Sequence, residues 1–326
     1  MNRRGFIAML GGAAVTWPLS APAQGAAPIV ALVSGRGPDS SALYIAAFRK
    51  SLAQAGYVEP QNVSVQLHWL DGQYDRAPAL MEELIRQRVA VIAAPGAAAA
   101  LAAKAATTTI PIVFGVAEDP VKLGLAASLA RPGRNATGIN FLLEEVVAKE
   151  LGLLHELAPR AARIAVLVNP ANASNTASTL RDLSTAARSL GLQTLELRAA
   201  SSSEIDAVFA TLMREQTDAL LIGPDAFLDS RRVQLVTSAI RYGIPTAFST
   251  REPIEVGGLM SYGTDVLNMY GQLGDYAGRI LRGAKPADLP VVQSAKFEFV
   301  INLHTAKLLG IDVSPSLIAL ADKVIE

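Results

Sequence analysis

The sequence contains no cysteine among its 326 residues. Without thiols, the chain has no disulfide bond, thiolate metal site, cysteine nucleophile or cysteine that could carry a lipid anchor. Excess charge is also absent, because 29 Lys and Arg residues balance 29 Asp and Glu residues. No basic block interrupts this balance, and such a block is the usual electrostatic footprint of nucleic-acid binding. Nucleic acid is therefore not expected as a partner.

Signatures of catalysis are missing as well. The chain has no HExxH motif, no Gly-x-Ser-x-Gly elbow and no P-loop. Gly35 and Gly37 begin a dinucleotide fingerprint, but Ser40 stands where its third glycine belongs. The chain has three histidines, which are far apart: His68, His155 and His304. We expect no catalytic residue, no cofactor and no metal.

What the chain does contain begins with an apparent export leader, residues 1–24. A pair of arginines precedes the short apolar stretch 7–15, and Ala21 and Ala23 form the small-x-small pattern that signal peptidase accepts. The order Arg-Arg-x-Phe-Ile is typical of a twin-arginine signal, with a Sec signal as the alternative. A buried first helix or a membrane anchor is disfavoured, because the stretch is too short to cross about 30 Å of hydrocarbon. We expect cleavage near Gln24 and a soluble periplasmic protein.

Beyond the leader, short apolar runs alternate with amphipathic stretches, the pattern of βα units around parallel sheets. The predicted strands of a first half and then a second half are 29–33, 63–69, 89–94 and 110–116, followed by 164–168, 192–197, 219–222 and 244–248. The predicted helices are 42–55, 77–88, 97–106, 146–157, 176–190, 204–214 and 227–242. Apolar and polar residues alternate over 63–69, which predicts a half-buried edge strand. The fold class is therefore α/β, with two similar doubly wound parallel-sheet lobes.

Further elements follow the two halves and indicate that the chain returns between the lobes. They are a short strand in 257–263, a helix over 267–281, a strand over 297–302 and two short terminal helices. Three connections then form a hinge, near 138–141, 248–253 and 289–300. The expected lobes comprise 25–140 with 250–290, and 141–249 with 291–326.

Candidate binding residues occupy the loops that follow the predicted strands, where open parallel sheets bind ligands. These loops comprise 34–36, 95–96, 115–120, 169–174, 223–225 and 249–251. Facing one another across a hinge, they predict a cleft rich in hydrogen-bond donors. We expect a carboxylate to lie near 172–174, and Asp225 or Asp119 to accept an ammonium group. The alternative for each residue is that it only forms a turn.

Several segments resemble one family. Residues 117–138 read AEDPVKLGLAASLARPGRNATG, and shorter matches are GGLMSYG at 257–263, KPADLP at 285–290 and KFEFVIN at 296–302. These segments are similar to the signature of ABC-transporter substrate-binding proteins related to a tryptophan- and tyrosine-binding group. The resemblance covers essentially the whole chain. It implies a type I periplasmic binding fold, with two lobes, three hinge strands and delivery of solute to a membrane permease.

The resemblance also implies which residues line the cleft. They are Ser34, Pro95, Gly96, Val116, Glu118, Asp119, Asn169, Asn172, Ser174, Asp225, Ser249 and Tyr262. Characterised relatives suggest an aromatic amino acid or a related carboxylate as ligand. Four aromatic residues are candidates for a stacking surface, or for the core instead: Tyr44, Phe114, Phe227 and Tyr262.

The leading hypothesis is thus a monomeric receptor that closes about its hinge on a small organic solute and delivers it to an ABC permease. One alternative is an exported hydrolase, which requires Ser261 or Ser249 beside a histidine at the cleft. Another is a ligand-sensing domain of the same fold. The positions of the three histidines distinguish the hydrolase from the receptor.

Overall fold

The computed structural model describes residues 27–141, 143–293 and 297–326. The predicted export leader, 1–24, lies outside the described residues. The strands are β1 (Ile29–Ser34), β2 (Ser64–Trp69), β3 (Val91–Pro95), β4 (Ile112–Val116), β5 (Ala136–Asn140), β6 (Arg163–Val168), β7 (Gln193–Arg198), β8 (Ala219–Ile222), β9 (Thr246–Phe248), β10 (Met260–Thr264), β11 (Val292–Gln293), β12 (Phe297–Asn302) and β13 (Lys323–Ile325).

The helices lie between these strands. They are α1 (Ala42–Gln54), α2 (Ala77–Arg86), α3 (Ala97–Ala106), α4 (Leu143–Leu157), α5 (Ala173–Leu190), α6 (Ser202–Arg214), α7 (Ala226–Ser230), α8 (Arg232–Tyr242), α9 (Glu252–Glu255), α10 (Val266–Leu281), α11 (Leu303–Leu308) and α12 (Pro315–Leu320). In the described parts of the chain, none of them combines the length and the apolar character needed to cross a membrane.

The first sheet contains six of the described strands in the order β11-β5-β4-β3-β1-β2, all parallel. Helices α1 and α10 pack on one face of this sheet, and α2 and α3 pack on the other. Strand β2 lies at the edge, as its alternating sequence predicts. We call this sheet with its helices the first lobe.

The second sheet contains seven of the described strands in the order β13-β12-β10-β9-β8-β6-β7. Strands β7, β6, β8, β9 and β10 are mutually parallel, whereas β12 runs antiparallel to β10. Helices α4 and α5 cover one face, and α6 and α8 cover the other. We call this unit the second lobe. The predicted fold class, two α/β lobes with mostly parallel sheets, is confirmed.

The chain passes between the lobes from β5 to α4, from β10 to α10 and from β11 to β12. The second passage lies between Thr264 and Val266, whereas the sequence placed it near 248–253. Residues 260–264 therefore lie in the second lobe and 266–293 in the first, which differs from the lobe boundaries expected from the sequence. The reason is strand pairing, because Met260 of β10 lies opposite Ala247 of β9. A short apolar run in a sequence does not show which strand it will pair with.

Two local features also differ from the predicted elements. The helix predicted over 227–242 is split at Arg231 into α7 and α8. Strands β5 and β13 were not predicted, because both are short and lack a long apolar run. β5 is nevertheless buried throughout, since it lies between β4 and β11.

Candidate functional site

A cavity of about 150 Å³ lies between the two lobes, at the carboxyl ends of their strands. We call it the main cavity. Its volume is that of a cavity that accommodates a single benzene ring. Its polar and aromatic lining from the first lobe includes Ser34, Arg36, Tyr74, Glu118 and Tyr270. The second lobe contributes Asn172, Asn175, Asp225, Asp229 and Ser249. A molecule bound here contacts both lobes.

Asp225 is held by donors from both lobes. Tyr74 of the first lobe donates its hydroxyl at 2.9 Å, and the Nδ2 atoms of Asn172 and Asn169 donate at 2.9 and 3.0 Å. The backbone N–H groups of Phe227 and Leu228 in α7 complete the set at 2.9 and 3.2 Å, so that Asp225 caps this helix. Burial, together with the charge of Asp225, raises the pKa of Tyr74 well above its usual value, which keeps the hydroxyl a donor.

A buried ion pair also joins the lobes. Arg36 follows β1 and pairs with Asp229 of α7, and both side chains are less than one tenth exposed. The guanidinium lies 4.4 Å from the ring centre of Tyr44, whose hydroxyl donates to Glu252 of the second lobe. Burial lowers the pKa of Arg36, but the electrostatic interactions with Asp229, Tyr44, Tyr270 and Glu252 together more than offset this effect, so the pKa is raised. Arg36 therefore stays charged.

At the rim, Arg231 Nη2 of the second lobe lies 3.4 Å from Asp71 Oδ1 of the first lobe. This pair is partly exposed, so we assign little energy to it.

Glu118 has a different environment from the other two carboxylates of the described lining. Its side chain is 6% exposed, and its Oε1 atom has no hydrogen-bond partner among the described residues. Burial raises its pKa, although a hydrogen bond from Asn175 opposes that shift. Asn140 Nδ2 donates to the backbone oxygens of Val116 and Glu118 at 3.2 and 2.8 Å, which holds the loop in place.

Two helices from different lobes begin at the cavity. Gly96 precedes α3 with a φ of 112°, and no side chain caps that helix. Asn172 precedes α5, but its amide donates to Asp225, so this helix also lacks a side-chain cap. Free backbone N–H groups at a helix start carry partial positive charge and suit an anionic group.

Most residues expected from the sequence lie at this cavity. Those that line it are Ser34, Pro95, Gly96, Glu118, Asn172, Asp225 and Ser249. Asn169 lies behind them, buried, and contacts the site through Asp225. Because Asp225 already accepts five hydrogen bonds, it lacks the open oxygen that the expected ammonium partner requires.

Besides Asn169, four expected residues do not line this cavity. Val116 points into the core of the first lobe with Ile112 and Phe114, because alternate residues of a strand share a face. Tyr262 of β10 packs on the core of the second lobe and stacks on Phe297 at 5.9 Å between ring centres. Asp119 and Ser174 lie instead at a second cavity of about 620 Å³, which Glu118 also borders.

Asp119 is not the expected ammonium partner at the main cavity either. Its Oδ1 atom accepts backbone N–H groups of Val121 and Lys122 at 2.8 and 3.3 Å. The carboxylate therefore stabilises the turn that follows β4. Asp119 therefore agrees with the alternative stated for each loop residue, that it only forms a turn.

The aromatic residues around the site are not the ones expected. Phe114 and Phe227 are buried in the two cores. Tyr44 is buried and stacks on Tyr270, with ring centres 5.0 Å apart. Sequence reasoning missed Tyr74 and Tyr270 as lining residues. The loop after the predicted strand 63–69 was not among the candidate loops, and Tyr270 lies inside the helix predicted over 267–281.

The histidines lie elsewhere, on β2, in α4 and in α11, and none is among the lining residues of the main cavity. Ser261 is buried within β10, and Ser249 has no histidine beside it in the lining. The described residues contain no cluster of His, Asp and Glu arranged to hold a metal ion. The histidine that the hydrolase alternative requires is therefore not at the main cavity.

Two α/β lobes with a cavity between the strand ends define the type I periplasmic-binding-protein fold. The chain belongs to the family of ABC transporter substrate binding proteins, whose sequence profile matches residues 28–325. The resemblance stated from the sequence is therefore confirmed. Proteins of this family bind solutes and are not enzymes, and membership implies a small-molecule ligand and an ABC permease partner.

Individual relatives agree with this assignment. A tyrosine-binding protein of Clostridioides difficile is 27% identical over 262 residues, covering 80% of this chain and 75% of its own length. An ABC domain of Streptococcus pneumoniae in complex with L-Trp has a TM-score of 0.81 at 24% identity, with 92% of this chain and 100% of that chain covered. A conserved domain protein of Vibrio cholerae has a TM-score of 0.82 at 26% identity, with 91% and 99% covered.

Proposed function

We propose that this protein is a periplasmic receptor of an ABC importer that captures an aromatic amino acid or a related carboxylate. The observation that carries the proposal is the main cavity, whose polar lining comes from both lobes. Such a ligand stabilises the arrangement in which the lobes are together, because only that arrangement offers both sets of contacts. The receptor then presents the loaded, closed form to the permease.

Contacts between the lobes support a closing motion. The Tyr74–Asp225 hydrogen bond and the Arg36–Asp229 ion pair both link residues of different lobes. Each pair separates when the lobes move apart, and its groups become hydrated. Three connecting segments allow such a motion without breaking either sheet.

The ligand class rests on the lining and on the relatives. Tyr74, Tyr270 and Phe248 place aromatic surface around the cavity, which suits a planar ring. One relative is named a tyrosine-binding protein, and another was crystallised with L-Trp. The aromatic lining and these relatives together support an aromatic amino acid as the ligand of this protein.

Location and assembly complete the proposal. The twin-arginine pattern and the small-x-small site near Gln24 support export, and proteins of this family are exported. We propose that the mature protein acts in the periplasm as a monomer, since the cavity is completed by the two lobes of one chain.

The test begins with the full-length chain, expressed with its own leader and purified from the periplasmic fraction. Isothermal titration is carried out with tyrosine, tryptophan and phenylalanine, and with alanine and glutamate for comparison. We expect an aromatic amino acid to bind with micromolar or tighter affinity, to raise the melting temperature and to reduce the radius of gyration in solution scattering. Failure of all five amino acids to change any of these quantities contradicts an aromatic amino acid as the ligand. Recovery only from the cytoplasm contradicts the proposed location.

A further inference from the structure

The three carboxylates that line the main cavity within the described residues are not equivalent. Asp225 accepts five hydrogen bonds from protein donors. Asp229 pairs with Arg36 through Oδ2 and accepts a hydrogen bond from Thr250 at 2.6 Å through Oδ1. Glu118 alone in this set has a buried oxygen, Oε1, without a protein partner. Its carboxylate is therefore the one with capacity left for a ligand.

The open oxygen of Glu118 requires a donor from elsewhere. A carboxylate on a residue that is only 6% exposed is costly to ionise unless a cation or several donors compensate it. The protein donors alone do not offset this cost, in agreement with the raised pKa of this group. A primary ammonium group provides both a positive charge and up to three N–H donors.

The opposite end of an amino acid also finds a place at the cavity. The starts of α3 and α5 face it from the two lobes, and neither has a side-chain cap. A carboxylate there accepts backbone N–H groups and interacts favourably with both helix dipoles. The cavity thus combines a region that favours an anion with an acceptor that favours a cation.

We infer that Glu118 binds the α-ammonium group of the ligand and that the site selects zwitterionic amino acids over the matching carboxylic acids. This inference rests on the proposed function. It differs from the sequence expectation, which placed the ammonium on Asp225 or Asp119.

The experiment is a thermodynamic cycle that combines one substitution in the protein with removal of one group from the ligand. Wild-type protein and the Glu118→Gln variant are each titrated with tyrosine and with 3-(4-hydroxyphenyl)propionate, which lacks only the amino group. We expect wild type to bind tyrosine at least about tenfold more tightly than the propionate, and E118Q to lose most of that preference. Affinity for the propionate should change by less than about threefold between the two proteins.

Glu150→Gln serves as the matched control, because Glu150 is another fully buried glutamate of the described chain and does not line the cavity. E150Q should keep the wild-type preference for tyrosine. Circular dichroism and the melting temperature show whether each variant is folded. If E118Q is unfolded, equal affinity of wild type for the two ligands still overturns the inference.

Each outcome supports or overturns the inference. Equal affinity of wild type for tyrosine and the propionate overturns it. Undiminished tyrosine binding by folded E118Q also overturns it, and would mean that Glu118 acts as a neutral hydrogen-bond donor, a role that the glutamine amide preserves. Failure of wild type to bind any aromatic amino acid is a failure of the proposed function itself.

Discussion

The hydroxyl of Tyr74 donates to Oδ2 of Asp225 at 2.9 Å, across the boundary between the two lobes. The two residues are 151 positions apart in the sequence, and their hydrogen bond is buried. In the proposed opening motion, water replaces the partner of each group, so we expect this bond to contribute to closure and not to the stability of either lobe.

Removal of that hydroxyl should therefore weaken ligand binding without lowering stability. We expect Tyr74→Phe to weaken the affinity for the bound amino acid about fivefold, which corresponds to about 1 kcal/mol for one hydrogen bond. Titration calorimetry measures the affinity, and urea denaturation of the ligand-free protein measures the free energy of unfolding. The control is Tyr276→Phe, since the Tyr276 hydroxyl donates to Pro290 within the first lobe at 2.7 Å. That variant should lose stability and keep its affinity; the reverse pattern contradicts the role of Tyr74.

The buried Arg36–Asp229 pair should have a larger effect. Arg36→Met leaves Asp229 unpaired and buried whenever the lobes are together, a change that costs about 3–5 kcal/mol. We expect the affinity for ligand to fall at least about 100-fold and the radius of gyration of the protein with ligand to stay near that of the ligand-free form.

Two further variants define this prediction. Adding Asp229→Asn to Arg36→Met removes the orphaned charge, so the double variant should bind more tightly than Arg36→Met alone. Arg198→Gln breaks an exposed pair with Glu196 on β7 and should leave the affinity unchanged. Strictly additive losses in the double variant would show that the two residues do not act as a pair.

Glycine 274 allows the close approach of α10 to α1. A Cβ atom at Gly274 would lie 2.2 Å from the backbone oxygen of Phe48, whereas one at Gly152 in α4 would meet nothing within 4 Å. Both glycines are helical, so alanine brings the same gain in helix propensity at each, up to about 1 kcal/mol. We expect Gly152→Ala to raise the free energy of unfolding and Gly274→Ala to lower it by about 2 kcal/mol. Urea denaturation checks both, and equal shifts would mean that the helices separate without penalty.

Glu150 should make the protein less stable as the pH rises. It is fully buried in α4, neither side-chain oxygen has a hydrogen-bond partner among the described residues, and burial raises its pKa well above the usual 4.5. Between the usual and the raised pKa, the folded protein holds a proton that the unfolded chain has lost. The free energy of unfolding therefore falls with rising pH over this interval, by up to about 1.4 kcal/mol per pH unit.

Glu150→Gln removes that proton linkage. The variant should be more stable than wild type near pH 7, and its advantage should shrink as the pH falls toward 4.5. Denaturation curves recorded from pH 5 to pH 8 measure this difference, with Glu82→Gln, an exposed position, as the control. Parallel pH profiles for wild type and E150Q would refute the assignment of the linkage to Glu150.

The fold class could be predicted from local patterns in the sequence. Continuous apolar runs indicated central parallel strands, and the alternation over 63–69 indicated the edge strand β2, because burial of a strand on one or both faces leaves its mark on neighbouring residues. Residues such as Ser34, Gly96 and Asp225 could be assigned to one site for a related reason. Parallel strands end at the same edge of a sheet, so the loops that follow them meet.

Contacts between distant segments decided the rest. Tyr270 reaches Ser34 across 236 positions only because α10 returns to the first lobe after β10 has joined the second. Which carboxylate is saturated and which has an open oxygen also depended on such contacts, since the five donors of Asp225 come from three separate segments. Hydrophobic periodicity and turn-forming residues involve only neighbouring positions, so they can be recognised from the sequence alone. Pairing, burial and hydrogen-bond saturation depend on neighbours that only the folded chain brings together.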